Sequence, residues 1–166
     1  MPQRNAAGTS LTEILVSLGI VSALATIAIP AVTSLYWQME LSSATNRLYN
    51  LVQLARHNAL TQQTRVSVCP LSTSGDCSKI WKGNISAFTD TNGNRNFDEG
   101  DTLLNTYQLP EPIKIIWRGM GSGNNLHFNR QGITFVSNGT FTLTHREKTM
   151  QLIISRLGKP KVVAAK

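Results

Sequence analysis

Several residue types are scarce in this chain of 166 residues, and each scarcity excludes a class of function. The only cysteines are Cys69 and Cys77, whose spacing does not match the C-x-x-C pattern of a metal or redox site. The three histidines lie on separate segments, and none belongs to a recognisable acid–base or metal motif. The glycines at 119–123 are not followed by the Lys-Ser/Thr of a phosphate-binding loop. We therefore predict a protein that is not an enzyme and needs no cofactor.

Acidic residues are nearly absent from the C-terminal third of the chain. Residues 114–166 hold nine Lys/Arg against the single acidic residue Glu147, a net charge of +8. Residues 1–113 hold seven Lys/Arg against eight Asp/Glu, a net charge of −1. The overall charge of +7 thus belongs to the end of the chain, and it indicates either an acidic partner or a solvated surface that keeps the protein soluble.

Charged residues are also missing from positions 14–39. The mostly apolar run 14–36 would form a helix about 34 Å long, enough to cross a hydrocarbon core. A signal peptide is a competing interpretation, since residues 23–25 fit an A-x-A cleavage site. The apolar run continues past that site, however, and Glu13 stands where signal peptides favour positive charge. A buried core helix of this length does not suit so small a domain, so we predict a membrane anchor.

The rest of the chain predicts an α+β fold, in which a long N-terminal helix packs on one or two antiparallel β-sheets. We expect this helix to run from about Thr9 to about Gln62, with a transmembrane half and an amphipathic half. The apolar stripe of the second half consists of Leu41, Ala44, Leu48, Leu51, Val52, Ala55 and Ala59. The predicted strands are 65–68, 85–88, 103–107, 113–117, 126–128, 133–135, 140–143 and 150–154.

The segment 8–13, Gly-Thr-Ser-Leu-Thr-Glu, resembles the processing motif of type IV prepilins, and Pro30 stands where such pilins carry a proline in the same helix. The resemblance implies that residues 1–8 are a leader, that prepilin peptidase cuts between Gly8 and Thr9, and that Thr9 is then N-methylated. Thr9 departs from the apolar residue usual at that position. Glu13 would pair with the free amine of a neighbouring subunit and so set the assembly register. Pro30 would kink or loosen the helix.

The same resemblance implies a location and a redox environment. Residues 9–36 would be the transmembrane and assembly helix in the bacterial inner membrane, and 37–166 a periplasmic head with a basic C-terminal tail, later part of a filament. Two lone cysteines in an oxidising compartment normally pair, so we predict a Cys69–Cys77 disulfide, with two buried free thiols as the alternative.

Later segments resemble the GspH/FimT group of minor pilins and pseudopilins, and FimT most closely. The resemblance covers nearly the whole chain and rests on Val-Cys-Pro at 68–70, Cys77, 88–94, 98–101 and Ile-Ser-Arg-Leu-Gly at 154–158. Alternating Asp and Asn side chains between two of the predicted strands indicate either an Asx-rich turn or a calcium loop. The sixth and twelfth positions hold Arg95 and Asp101 instead of the Gly and Glu of an EF-hand, which favours the turn. The alternating residues are Asp90, Asn92, Asn94, Asn96 and Asp98.

FimT-like members of the group bind DNA in natural transformation through a C-terminal Gly-Arg-x-Arg tail. The matching positions 158–161 read Gly-Lys-Pro-Lys, and lysine neutralises phosphate without the bidentate fork of arginine. The resemblance thus implies contact with the DNA backbone without sequence readout. The candidate residues are Arg156, Lys159 and Lys161, with Arg146 and Lys148 beside a hairpin turn adding to one cationic surface.

Two other functions stay open. One is a structural minor pilin that primes or caps the filament through protein contacts alone, and the other is a GspH-type pseudopilin of a type II secretion system. The expected partners are prepilin peptidase, other major and minor pilins, the inner membrane and DNA.

Overall fold

The computed structural model describes residues 10–121 and 125–164. The chain divides into two compact units, Met1–Tyr36 and Trp37–Lys166. Helix α1, Leu11–Thr61, contributes to both units and matches the expected long N-terminal helix. The predicted cleavage and methylation positions, Gly8 and Thr9, lie outside the described residues.

From Leu11 onward the described part of the first unit is helical, and its large apolar side chains are exposed. By length and composition alone, this part of α1 can cross a membrane. Glu13 lies in the first turn of the helix and Pro30 lies inside it. Hydroxyl groups here donate hydrogen bonds to backbone carbonyls of the same helix. Such bonds satisfy donors that would lack a partner in an apolar environment. Ser17, Ser22, Thr26 and Thr33 each donate to the carbonyl three residues earlier, at 2.7–3.0 Å.

In the second unit, the predicted apolar stripe of α1 is buried at every position. Thr45 is buried in the same stripe because its hydroxyl donates to the Leu41 carbonyl at 2.8 Å. Eight strands follow the helix. They are β1 Val66–Pro70, β2 Asn84–Thr89, β3 Leu103–Gln108, β4 Lys114–Gly119, β5 Leu126–Phe128, β6 Gly139–His145, β7 Lys148–Ile154 and β8 Pro160–Ala164.

The strands form two antiparallel sheets of four strands each, so the α+β prediction is confirmed. The first sheet has the order β3-β2-β1-β5 and the second the order β4-β6-β7-β8. Their apolar side chains join the helix stripe in one core. Three aromatic rings pack together at the second sheet. The centroid of the Phe141 ring lies 4.1 Å from that of Trp117 and 4.6 Å from that of Trp81.

One strand prediction was wrong, and one strand was not predicted. Residues 133–135 are not a strand, because the Thr134 hydroxyl bonds to the Ser155 and Arg156 carbonyls and Phe135 adopts a positive φ of 39°. The segment expected to be a basic tail instead contains β8, which pairs with β7 from Ile154–Pro160 to Met150–Ala164. A proline is tolerated as the first residue of such an edge strand, since its missing N–H leaves no ladder bond unmade.

Candidate functional site

The five predicted cationic residues fall at different places on the second sheet. Arg146 and Lys148 belong to the β6–β7 turn, where His145 pairs with Lys148. Arg156 and Lys159 belong to the β7–β8 turn, where Ile154 pairs with Pro160. The seven residues of β7 separate these turns by about 20 Å at the usual rise of a strand. The structure therefore does not bring the five residues into one surface.

At the first of these turns, Arg146 is already engaged with an aromatic side chain. Its guanidinium carbon lies 4.4 Å from the centroid of the Trp37 ring, a cation–π contact. The same ring meets His145 edge-on, with 6.3 Å between centroids. This end of the head is thus a packed cluster of aromatic and charged groups.

At the opposite turn, residues 155–159 are fastened to the loop 129–137. The Thr134 hydroxyl donates to the Ser155 and Arg156 carbonyls at 3.0 and 3.2 Å, and the Thr134 N–H donates to the Arg156 carbonyl at 3.2 Å. The Arg156 guanidinium lies 5.6 Å from the Phe135 ring centroid. The position of Arg156 is therefore set by a loop that is distant from it in sequence.

Gly158, the glycine of the Gly-Lys-Pro-Lys motif, has a structural reason to be glycine. Its φ is +75°, and a Cβ atom would overlap the Gly132 carbonyl oxygen and lie 3.1 Å from the Phe128 ring. That same carbonyl accepts a hydrogen bond from Nε of Arg56 at 3.2 Å. The turn can pack this closely only without a side chain, and this packing presents Lys159 at the surface.

Lys161 lies on the outer face of the second sheet, in a row that crosses all four strands. It pairs with Ile153, which pairs with Thr140, which pairs with Arg118 on the far edge strand. Three strand spacings separate the two cations by about 14 Å. Arg118, Ile153 and Lys161 are all exposed, and none of the four strands contains an acidic residue. The outer face of this sheet is therefore a cationic surface, here called the basic face.

Two members of the basic face were missed in the sequence. Lys114 and Arg118 are exposed on β4 because alternate residues of a strand point to one side, and the buried side of β4 carries Ile115. The alternation in Lys-Ile-Ile-Trp-Arg at 114–118 was the available signal. The sequence does not show which strands are neighbours in the sheet. It therefore does not show that Arg118 and Lys161 lie in one row.

The two predicted cysteines form a disulfide, Cys69–Cys77, with 5.6 Å between their Cα atoms. It closes the segment between β1 and β2, where Leu71 also makes a bridge with Cys77. The bond fixes the first sheet and lies apart in sequence from the basic face.

The Asp/Asn-rich loop after β2 bonds mainly to itself. The N–H groups of Asn94 and Asn96 donate to the side-chain oxygens of Asn92 and Asn94 at 3.0 and 2.8 Å, the geometry of Asx turns. Hydrogen bonds from the Asn92 and Asn94 amides lower the pKa of the Asp98 carboxyl. Asp90 is buried and accepts a bond from the Ser67 hydroxyl at 3.2 Å. Among the residues that the structure describes, no group of His, Cys, Asp and Glu is arranged to hold a metal ion.

Comparisons with known proteins agree with this fold. The family model described as type II transport protein GspH matches residues 44–158. The type IV minor pilin FimU of Pseudomonas aeruginosa has a similar structure, with a TM-score of 0.59 and 19% identity over 78% of this chain and 90% of that one. The minor pseudopilin EpsH from the type 2 secretion system of Vibrio cholerae gives a TM-score of 0.53 and 12% identity over 75% of this chain and 97% of that one. At such identities the likeness shows the fold, and no curated protein matches the sequence.

Proposed function

The chain belongs to the GspH family of type II transport proteins, and from this we propose that it is a minor type IV pilin that binds DNA non-specifically during natural transformation. Prepilin peptidase would remove residues 1–8, and the apolar part of α1 would hold the subunit in the inner membrane with its head in the periplasm. From there it would enter a pilus beside other major and minor pilins. The minor-pilin fold and the apolar helix support this assignment.

The basic face is the observation that carries the DNA proposal. Arg118 and Lys161 come from the two edge strands and lie in one row of the outer surface, Lys114 lies further along the strand of Arg118, and none of the four strands contains an acidic residue. Such a surface neutralises phosphates and releases counterions whatever the base sequence. We place Lys114, Arg118, Lys159 and Lys161 in the interface, with Arg156 at its end. Arg146 and Lys148 lie at the other end of β7 and are left out.

A salt titration tests this interface. The full-length chain in a non-ionic detergent is mixed with a fluorescent DNA duplex, and anisotropy gives Kd at several salt concentrations. We expect Arg118→Gln/Lys161→Gln to weaken binding and to make the log Kd–log salt slope shallower by about 0.9 for each phosphate that is no longer neutralised. The control, Arg146→Gln/Lys148→Gln, removes the same charge from the other turn and should keep the slope. The proposal is refuted if the wild type fails to bind duplex at low salt, or if both pairs behave alike.

Processing is tested separately by mass spectrometry. After co-expression with a prepilin peptidase, we expect the mass to fall by that of residues 1–8 and the new N-terminal Thr9 to carry one methyl group. Gly8→Val should keep the full mass. Glu13→Gln should leave cleavage intact and lower the amount of subunit in sheared filaments, since the proposed partner of Glu13 is the amine of a neighbour. Unchanged filament content in Glu13→Gln would exclude that role.

A pseudopilin of a type II secretion system is the second candidate, and the matched family model favours it. Here the head would contact other pseudopilins in place of DNA. In-cell cross-linking distinguishes the two, because a pseudopilin should cross-link to type II secretion subunits and a pilus subunit to the major pilin.

A further inference from the structure

An exposed apolar group lies at the β7–β8 end of the head. Phe135 is 48% exposed, Val136 50% and Leu157 60%, values far above those of core side chains. They belong to the loop 129–137 and the turn 155–159, which Thr134 and Arg156 hold together. Phe135 is the aromatic side chain among them, and we call its ring the platform.

The backbone around Phe135 holds its side chain about half exposed. Phe135 has a φ of +39°, a conformation that a bulky side chain rarely adopts and that costs conformational energy. Thr134 and Ser137, at the two ends of this turn, are both buried, and their hydrogen bonds fix its conformation. The Ser137 N–H donates to the Thr134 carbonyl at 2.8 Å, and the Ser137 hydroxyl donates to the His127 carbonyl at 2.8 Å. The turn thus holds an aromatic side chain half outside the core at a cost in conformational energy, as expected of a ring that makes a contact there.

Every charged residue near the platform in sequence is cationic. Arg156 lies against the Phe135 ring and Lys159 follows in the same turn. Arg130 is exposed in the turn that Gly158 contacts through Gly132. Glu147 is the only acidic residue between 112 and 164, and it lies at the opposite end of β7.

An exposed aromatic ring flanked by cations can bind an unpaired nucleotide through both its base and its phosphates. A base can stack on the aromatic ring while its phosphates meet the cations, and the interaction tolerates any base because each has a π-face. In a duplex the base faces are covered by their neighbours, so an isolated aromatic ring gains little there. A protein partner would also use the apolar area, but it would have to supply acidic groups for Arg130, Arg156 and Lys159.

We propose that Phe135 is a stacking platform for an unpaired base, so that this end of the head binds single-stranded nucleic acid in preference to duplex. The inference rests on the proposed DNA-binding function and adds to it a selection between strand states. Arg156 and Lys159 would contact the phosphates beside the stacked base, while the rest of the basic face serves either form of DNA.

The test compares two probes with the full-length chain in non-ionic detergent. One is a 20-nucleotide single strand with 2-aminopurine in its centre and a terminal dye, and the other is the corresponding duplex. We expect the wild type to bind the single strand about tenfold more tightly and to change the 2-aminopurine emission, which reports stacking. Phe135→Leu should weaken single-strand binding about tenfold and leave duplex binding unchanged. Phe135→Trp should restore both the affinity and the emission change.

Two further variants distinguish loss of the aromatic ring from loss of folding and from loss of exposed apolar area. Phe135→Asn tolerates the positive φ, so it should fold at least as well as the wild type and still lose the single-strand preference. Val136→Ala removes exposed apolar area without touching the ring and should retain the preference. Equal binding of both probes, unaffected by Phe135→Leu, would refute the platform and leave the duplex interface standing. Absence of binding to either probe at low salt would refute the proposed function and the platform together. Loss of subunit cross-linking in Phe135→Leu, with DNA binding intact, would assign the ring to a protein contact instead.

Discussion

The Nε2 atom of His145 lies 3.1 Å from Oε2 of Glu40, and this contact joins the end of β6 to helix α1. The imidazole is buried, and the carboxylate lies off the direction of a well-formed hydrogen bond to it. Trp37 and Arg146 cover the same place. The two side chains therefore join the β6–β7 turn to the helix through a close polar contact and packing.

Breaking this pair should destabilise the head. We expect Glu40→Ala to lower the free energy of unfolding by about 1 kcal/mol, because it leaves a buried imidazole without its partner. In a double-mutant cycle with His145→Phe, the coupling should be roughly 0.5–2 kcal/mol in urea denaturation. Glu147→Ala removes an exposed carboxylate from the adjacent turn and should have almost no effect. A coupling near zero would show that the two side chains are neighbours without mutual stabilisation.

Gly158 offers a test of close packing in the β7–β8 turn. Gly158→Ala should lower the free energy of unfolding by about 2–4 kcal/mol, through left-handed strain and overlap with the Gly132 carbonyl. Gly83→Ala is a matched control, since Gly83 has a φ of +69° and an added Cβ atom there would meet open space. Gly83→Ala should lower the free energy of unfolding by only about 1 kcal/mol. Equal losses of stability in the two variants, measured by thermal denaturation, would mean that the β7–β8 turn can move away from the loop 129–137.

The disulfide should contribute measurably to stability. Its sequence separation of 8 gives a short loop, for which the chain-entropy model predicts about 2–3 kcal/mol. Dithiothreitol should therefore lower the urea midpoint of the wild type. The double variant Cys69→Ala/Cys77→Ala should start from a lower midpoint and not respond to the reagent. A wild type with the same midpoint before and after verified reduction would contradict this prediction.

His127 should make the head less stable in mild acid. The pKa of His127 is lowered to about 4, chiefly by burial and also by the nearby Arg95 and Arg65, while Asp90 opposes the shift. The unfolded chain, with a His pKa near 6.5, binds the proton more readily, so stability is full above pH ~6.5 and is lost as pH falls towards ~4. After allowance for solvent screening of a half-buried ring, the loss is about 1–2 kcal/mol.

Chemical denaturation between pH 7 and pH 4 measures this contribution. Carboxylates and the other histidines titrate in the same range, so the relevant quantity is the difference between wild type and His127→Asn. The variant should lose less stability over the range. Parallel curves would show that His127 takes up its proton equally well in the folded state.

The helix was predictable because its signals are local. The spacing of the buried residues from Leu41 to Ala59 follows one face of a helix, and the uncharged run before it is evident in the sequence. The disulfide followed from having only two cysteines in a compartment expected to be oxidising. Seven of the eight strands coincide with alternating or β-rich runs, and β1 and β4 each begin one residue later than predicted.

The remaining features depend on contacts between distant segments. Residues 133–135 alternate like a strand, but the bonds of Thr134 to the β7–β8 turn draw them into a loop. β8 begins with Pro160 and Lys161, which weaken its strand signal, and it exists because β7 offers an unpaired edge. The cations were grouped by closeness in sequence, whereas the sheet pairs Lys161 with the row of Arg118 and places Arg146 a full strand length away.

Because the basic C-terminal segment is an edge strand, shortening the chain would do more than remove charge. Cleavage after Arg156 would uncover the backbone N–H and C=O groups of β7 that now bond to β8, and a free strand edge is a template for pairing with another molecule. A protein trimmed at this point would be prone to self-association, so the last strand also protects the chain against aggregation.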